Sequence, residues 1–339
     1  MTIVLITGGT GFTGLHLAER LLRAGYAVRL GGRDFSQAGH VLALGAQARS
    51  LELSDSRSVL QTCDGVQVVC HVGALSSAWG KFEDFWQSNV VGTQNVVQAC
   101  RACGVGRLVH ISSPSAWFDG TPHKLARESD LTPPRRWLSH YSQTKFLSEQ
   151  AVLRATDVNA IILRPKAIFG EGDRALLPRL ITAARHARLR IFGTGDNQVD
   201  LTYVGNVVQA IQLAIEKPQV QGAFLLTNGE HPALWQVIFR VLDALGIAKP
   251  TRRVPFALAL GLARAMEMFG AWRGREPLLT EYSLRLLCTQ QTYDISAVQH
   301  ALGYQPETSL DTAIARTIAA LGVRFSFSEN EKVEIELSH

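Results

Sequence analysis

Thr7-Gly8-Gly9-Thr10-Gly11-Phe12-Thr13-Gly14 is the stretch that decides the fold of this chain. It follows a short apolar run at residues 3–7 and opens a helical pattern at residues 14–24. Gly8 permits a tight turn, Gly11 lets a backbone approach a pyrophosphate, and Gly14 lets the helix press against the strand. The free N–H groups at the helix start then form an anion site. The spacing is G-x-x-G-x-x-G, not G-x-G-x-x-G, so the weight comes from position, after a strand and before a helix. The octapeptide reads as the phosphate loop of a dinucleotide-binding unit.

Outward from that loop, short β-branched runs alternate with helical patterns. Residues 27–30, 66–71, 107–112 and 161–164 read as strands, and 89–103 as a further helix. Nearly uncharged strands alternating with helices predict a parallel sheet covered on both faces. The expected fold is α/β, with a Rossmann-type doubly wound sheet over residues 1–165. Beyond it the pattern changes. Residues 190–192 and 223–227 look like strands, while 233–245, 256–269, 282–288 and 310–321 look helical. A smaller, mostly helical substrate domain is expected over 166–325, the chain returning to the sheet around 200–230. Residues 326–339 carry four glutamates against one lysine and read as a tail.

Composition excludes several classes of function. Hydrophobic residues at 46% and charged residues at 19% describe a globular protein. The net charge of +5 is mild and its lysines and arginines are scattered, so nucleic acid is not an expected partner. Five cysteines, an odd number, read as reduced thiols. Cys100 and Cys103 form a C-x-x-C without a second ligand pair, so packing thiols are expected and no metal site. No signal-peptide pattern precedes the first strand, and a cytoplasmic location is expected. The longest apolar stretch, 254–272, is interrupted by Arg264 and Glu267, too polar at its centre to span a bilayer.

The tip of the second strand bears on cofactor choice. An NAD-specific site places an acidic side chain there for the ribose 2′-hydroxyl. Here that position is Gly32, followed by Arg33, which suits a 2′-phosphate. NADP(H) is therefore expected over NAD(H); the opposing reading has Asp34 take the hydroxyl.

Tyr141-Ser142-Gln143-Thr144-Lys145 puts a phenol and an ammonium four residues apart on one helix face. A phenol titrates near about 10, and a neighbouring cation lowers that value toward general acid–base use. With these motifs in order, the chain resembles an extended short-chain dehydrogenase/reductase. The match continues through His71-Val72-Gly73-Ala74, Asn89-Val90-Val91-Gly92-Thr93, Ser112-Ser113, Leu163-Arg164-Pro165 with Phe169-Gly170, and Tyr203-Val204. It covers roughly residues 1 to 230.

The resemblance implies Ser113 as hydrogen-bond donor to a substrate carbonyl, Tyr141 as proton donor, and Lys145 as the holder of the nicotinamide ribose that also tunes the phenol. Ser112 and Ser115 stay open as alternatives to Ser113. Asn89 has either a supporting role or that of a helix-start residue. Cofactor contacts are expected from Gly8, Thr10, Gly11, Phe12, Thr13, Gly14, Arg33, Leu53, Val72, Gly73, Ala74, Tyr141, Lys145, Pro165 and Ile168.

The branch is read from residues 193–200. Nucleotide-sugar enzymes carry an arginine there to grip a diphosphate, and this chain has Val199. The segment 199–204 is instead similar to the 3β-hydroxysteroid dehydrogenase branch, which includes bacterial reductases of 3-keto acids. Trp79, Trp117 and Trp137 are expected to wall an apolar pocket. The expected activity is NADP(H)-dependent interconversion of a bulky apolar ketone and its alcohol. Against it stand an NADP-linked nucleotide-sugar epimerase or dehydratase and a non-catalytic redox sensor. Residues 256–269 read as buried core, with a lid or a weak membrane-surface contact as the other readings. A homodimer is the expected assembly.

Overall fold

The computed structural model describes residues 1–77, 79–173 and 176–321; the expected tail, 326–339, lies outside them. Seven parallel strands make the central sheet: β1 (Ile3–Thr7), β2 (Ala27–Gly32), β3 (Gln47–Ser50), β4 (Val68–His71), β5 (Arg107–Ile111), β6 (Ala160–Pro165) and β7 (Gly222–Leu226). Their order is β7-β6-β5-β4-β1-β2-β3. The doubly wound Rossmann-type sheet is thus present, and Gly222–Leu226 closes it on one edge.

Strand periodicity divides the core between two faces. Val4 and Ile6 pack on one side with Val109, Ile111, Ile161 and Leu163. That side is covered by α1 (Phe12–Arg23) and α5 (Val204–Glu216) through Leu17, Leu21, Val207 and Ile211. Leu5, Leu108 and Ile162 point the other way. They meet Val59 of α2 (Ser56–Cys63), Val96 and Cys100 of α3 (Gly92–Ala102), and Val152 of α4 (His140–Leu153). Cys63 and Cys100 are free and buried in this packing, and Cys70 is free and buried on the first face.

Strand β3 carries no apolar signal. All four residues of Gln-Ala-Arg-Ser are exposed, and its place comes from pairing with β2 at the sheet edge. Asn89 does not start a helix either: it sits inside a π-helical turn, Trp86–Val91, that runs directly into α3.

The C-terminal part holds α6 (Leu234–Ala244), α7 (Phe256–Arg273) and α8 (Glu281–Cys288). A two-stranded piece matters most for the site: Gln291–Tyr293 pairs with His123–Ala126. Helix α7 corrects the buried-core reading. It is buried at Ala259, Ala263 and Gly270, while Leu258, Leu262, Met268, Phe269 and Trp272 are exposed. The helix packs through small residues, which allow close approach but leave its bulky side chains outside. No helix among the described residues is long and apolar enough to cross a membrane.

Candidate active site

In a parallel sheet of this order, successive crossovers leave β1 and β4 toward opposite sides, which opens a crevice beyond their C-terminal ends. A cleft of about 1470 Å³ lies there. Its lining includes Gly8, Thr10, Gly11, Phe12, Thr13, Gly14, Arg33, Leu53, Val72, Gly73, Ala74, Ser113, Tyr141, Lys145, Pro165 and Ile168. Fragments from seven parts of the chain thus converge on one space.

The glycine loop fits a pyrophosphate by its sterics. Gly8 has φ +64°, and a Cβ on it would stand 2.5 Å from Gly73 Cα. A Cβ on Gly14 would stand 2.3 Å from the Gly8 carbonyl oxygen, so loop and helix touch backbone to backbone. At Gly11, by contrast, the one atom within reach is Gly8 O at 3.2 Å, leaving its cleft side open. Gly11 caps α1 with no side-chain hydrogen bond, and no acidic residue occupies the first turn. The uncapped N–H groups and the positive helix end suit a diphosphate.

At the end of the cleft beside β2, Arg33 lines the wall, 81% exposed, with one guanidinium nitrogen 3.6 Å from Glu52 Oε2. Asp34 is outside the lining: its carboxylate accepts from Ser36 N (2.9 Å) and Ser36 Oγ (3.0 Å). Gly32 is required because a Cβ there would come within 2.7 Å of Thr10 Oγ1.

At the other end, Tyr141 and Lys145 lie one turn apart on α4, which Ser139 caps by accepting from Ser142 N. The three candidate serines part ways. The buried Ser112 hydroxyl donates to Glu149 Oε2 at 2.6 Å. Glu149 also pairs with the Arg164 guanidinium, and the Trp117 ring lies 4.9 Å from that guanidinium. Ser113 lies beside the Tyr141 phenol and accepts from Ser115 Oγ at 2.8 Å. Burial, then the neighbouring Tyr282, push the Tyr141 phenol up, against the Ser113 hydrogen bond. The phenol is therefore protonated at neutral pH.

Lys145 donates to the Ile111 carbonyl at 2.6 Å. Burial pushes its ammonium down to about 8, opposed by Glu149. This carbonyl contact fixes the ammonium at the end of β5. Asn89 positions the same helix: its Nδ2 donates to Thr144 Oγ1 (3.0 Å) and its Oδ1 accepts from Leu75 N (2.7 Å). His71 is held between Thr7 Oγ1 (2.7 Å) and Thr93 Oγ1 (2.9 Å), and burial pushes it down to about 3, so it stays neutral.

The three tryptophans are not among the lining residues. Trp117 and Trp137 are half-buried and both pack on Phe146 of α4, and Trp137 Nε1 donates to Ala116 O. Trp79 is half-buried in the loop after β4, where its carbonyl accepts from Ser77 Oγ. Among the lining residues that sequence reasoning missed are Lys166, Tyr282 and Leu286. Tyr282 and Leu286 are four apart, one helical turn, on a segment correctly read as helix; nothing in the sequence says that this helix returns to Tyr141.

Residues 4–225 match the model of the NAD dependent epimerase/dehydratase family. The chain belongs to that family. Within it, the chain is 35% identical to a 2-alkyl-3-oxoalkanoate reductase of Stenotrophomonas maltophilia over 94% of this chain and 98% of that one. It is 33% identical to human sterol-4-alpha-carboxylate 3-dehydrogenase, decarboxylating, over 92% and 86% respectively. Among solved structures, a UDP-glucose 4-epimerase of Thermotoga maritima superposes with a TM-score of 0.75 at 19% identity, covering 96% of this chain and 100% of that one. A UDP-glucuronic acid 4-epimerase of Bacillus cereus in complex with NAD gives 0.72 at 24%, covering 95% and 100%. These two likenesses carry the family fold.

Proposed function

We propose that this family member is an NADP(H)-dependent oxidoreductase that reduces the ketone of a bulky, apolar 3-oxo compound to a secondary alcohol. The observation that carries the reading is that Ser113, the protonated, half-buried Tyr141 and Lys145 line the same cleft as the glycine loop. A nicotinamide cofactor, when bound, supplies the hydride for such a reduction. The chain's own residues supply the rest. Ser113 and Tyr141 donate hydrogen bonds to the ketone oxygen, and Tyr141 gives its proton to the developing alkoxide. Lys145, held by Ile111 O, keeps a positive charge beside the site.

Arg33 at the cleft and Asp34 turned to Ser36 support the choice of NADP(H). The names of the two relatives, a 3-oxoalkanoate reductase and a sterol carboxylate dehydrogenase, support the 3-oxo substrate class. Val199 is 4% exposed with its N–H on Pro232 O, so its apolar side chain offers nothing to a sugar diphosphate. A sensor has no use for the Ser113–Tyr141–Lys145 set. Oxidation of NADPH, followed by absorbance against 3-oxo acids and 3-oxo steroids, tests the reading, with UDP-sugars followed by analysis of the sugar product because epimerisation consumes no NADPH. Turnover of the 3-oxo compounds is expected, and turnover of UDP-sugars alone would overturn it.

A further inference from the structure

Lys166 follows Pro165 at the C-terminal end of β6 and lines the cleft together with Ser113 and Tyr141. Its side chain turns inward, and the residue is 5% exposed. Burying an ammonium is costly unless charge and hydrogen bonds compensate it. The compensation here is partial. Nζ donates to Gln291 Oε1, the oxygen of a neutral amide. Asp200 pulls on the ammonium from nearby, but its two oxygens serve His231 Nδ1 (2.6 Å) and Tyr293 N (2.9 Å). An ammonium has three donors, and one is used on Gln291. On the other side of the same contact, Gln291 Nε2 is buried without a hydrogen-bond partner among the described residues.

A buried ammonium at the wall of the cleft, with a fully buried and unpartnered amide nitrogen behind it, calls for a ligand made of acceptors. A carboxylate has acceptors alone and carries the charge that a buried ammonium lacks. In a 3-oxo acid the carboxylate carbon lies two bonds from the ketone carbon, so both ends fall within one short span of the cleft. We infer that Lys166, with Gln291 beside it, anchors the carboxylate of a 3-oxo acid and selects acids over neutral ketones. The inference rests on the reductase reading above and narrows its substrate class. It also explains why a lysine occupies a position that an apolar pocket wall would give to a hydrophobic side chain.

The test compares a long-chain 3-oxo acid with its methyl ester, using NADPH and the full-length protein. The unmodified protein is expected to prefer the acid. Lys166→Met should lower the acid-over-ester ratio in kcat/KM by roughly 10- to 100-fold, as for a hydrogen bond to a charged group, mainly through KM. Lys166→Arg should restore much of it. Calorimetry gives a readout apart from turnover: the saturated 3-hydroxy acid should bind the NADPH-loaded protein, a pair between which no hydride can pass, and Lys166→Met should lose that binding while keeping its NADPH affinity. Should Lys166→Met fail to fold, Gln291→Glu sets a competing carboxylate against the ammonium and is expected to lower the same ratio. An unchanged ratio in folded Lys166→Met, or in Gln291→Glu if Lys166→Met does not fold, overturns the anchor and leaves the reductase reading standing. Reduction of neither compound by the unmodified, cofactor-binding protein overturns both.

Discussion

The two ends of the cleft are built on different principles. The cofactor end is a backbone surface: Gly8, Gly14 and Gly73 meet with no room for a Cβ, and uncapped N–H groups face the space. The substrate end is a side-chain surface, assembled from Ser113, Tyr141, Lys166 and Tyr282, residues up to 169 positions apart (282 − 113). A backbone site leaves a compact record in sequence, because glycine spacing states the geometry directly. A side-chain site depends on which helix returns to the sheet, and contact order hides that.

The sharpest way to break this contrast is at Tyr141, where both ends meet. Tyr141→Phe keeps the ring, so the backbone cradle and NADPH binding should be untouched. General acid catalysis supplies about 10²–10⁴-fold, and kcat is expected to fall by that much. Near-normal turnover in a folded, NADPH-binding variant would leave the mechanism without its acid. Tyr282→Phe gives a milder check: it removes the hydroxyl that contacts Ser115 and Ser142 but not the Ser113–Tyr141 pair, so a smaller loss in kcat is expected.

A smaller effect is expected at the hinge between the two ends. Glu281 is 4% exposed and accepts from Arg136 (2.9 Å), Arg264 (3.0 Å) and Arg285 (2.9 Å). It thus ties the segment before α4 to α7 and α8. Burial pulls its carboxyl upward, but the hydrogen bonds and charges of Arg264 and Arg285 outweigh that and hold it at about 2, below the ordinary 4.5. A depressed folded-state value means the contribution is complete above about 4.5 and disappears as pH falls toward about 2. Glu281→Gln should cost about 1–3 kcal/mol at neutral pH, read by urea unfolding, and should flatten acid destabilisation in that window. An unchanged acid profile would mean that the arginine cluster does not brace the substrate wall.

What was legible follows from the same contrast. The phosphate loop, six of the seven sheet strands and the Tyr141/Lys145 pair were readable, since each is a local pattern. Strand β3 was not, because an exposed edge strand has no apolar face to betray it. The tryptophans misled for a physical reason. Sequence places Trp117 and Trp137 near the strand and helix that carry Ser113 and Tyr141, yet it does not say which side of α4 they occupy; Phe146 packs on both and Arg164 on Trp117. Lys166 sits next to the motif residue Pro165, and nothing local marks its side chain as buried.

The smallest effect is expected at the exposed rim of the cofactor end, where sequence made its finest distinction. Arg33 is solvated and shares its charge with Glu52, so it cannot act like a buried ion pair. On the proposed NADP(H) reading, in which the side chain serves the 2′-phosphate alone, Arg33→Ala should weaken NADPH by roughly tenfold and leave NADH almost unchanged. The difference should shrink with salt, since exposed charges are screened over about 8–10 Å at physiological ionic strength. Glu52→Gln should act in the opposite direction, freeing the guanidinium and sharpening the NADPH preference. Both follow from fluorescence titration of the two cofactors at low and high salt. Equal affinities for NADPH and NADH in the unmodified protein would assign Arg33 to the solvent and return the ribose to the backbone of Gly32 and its neighbours.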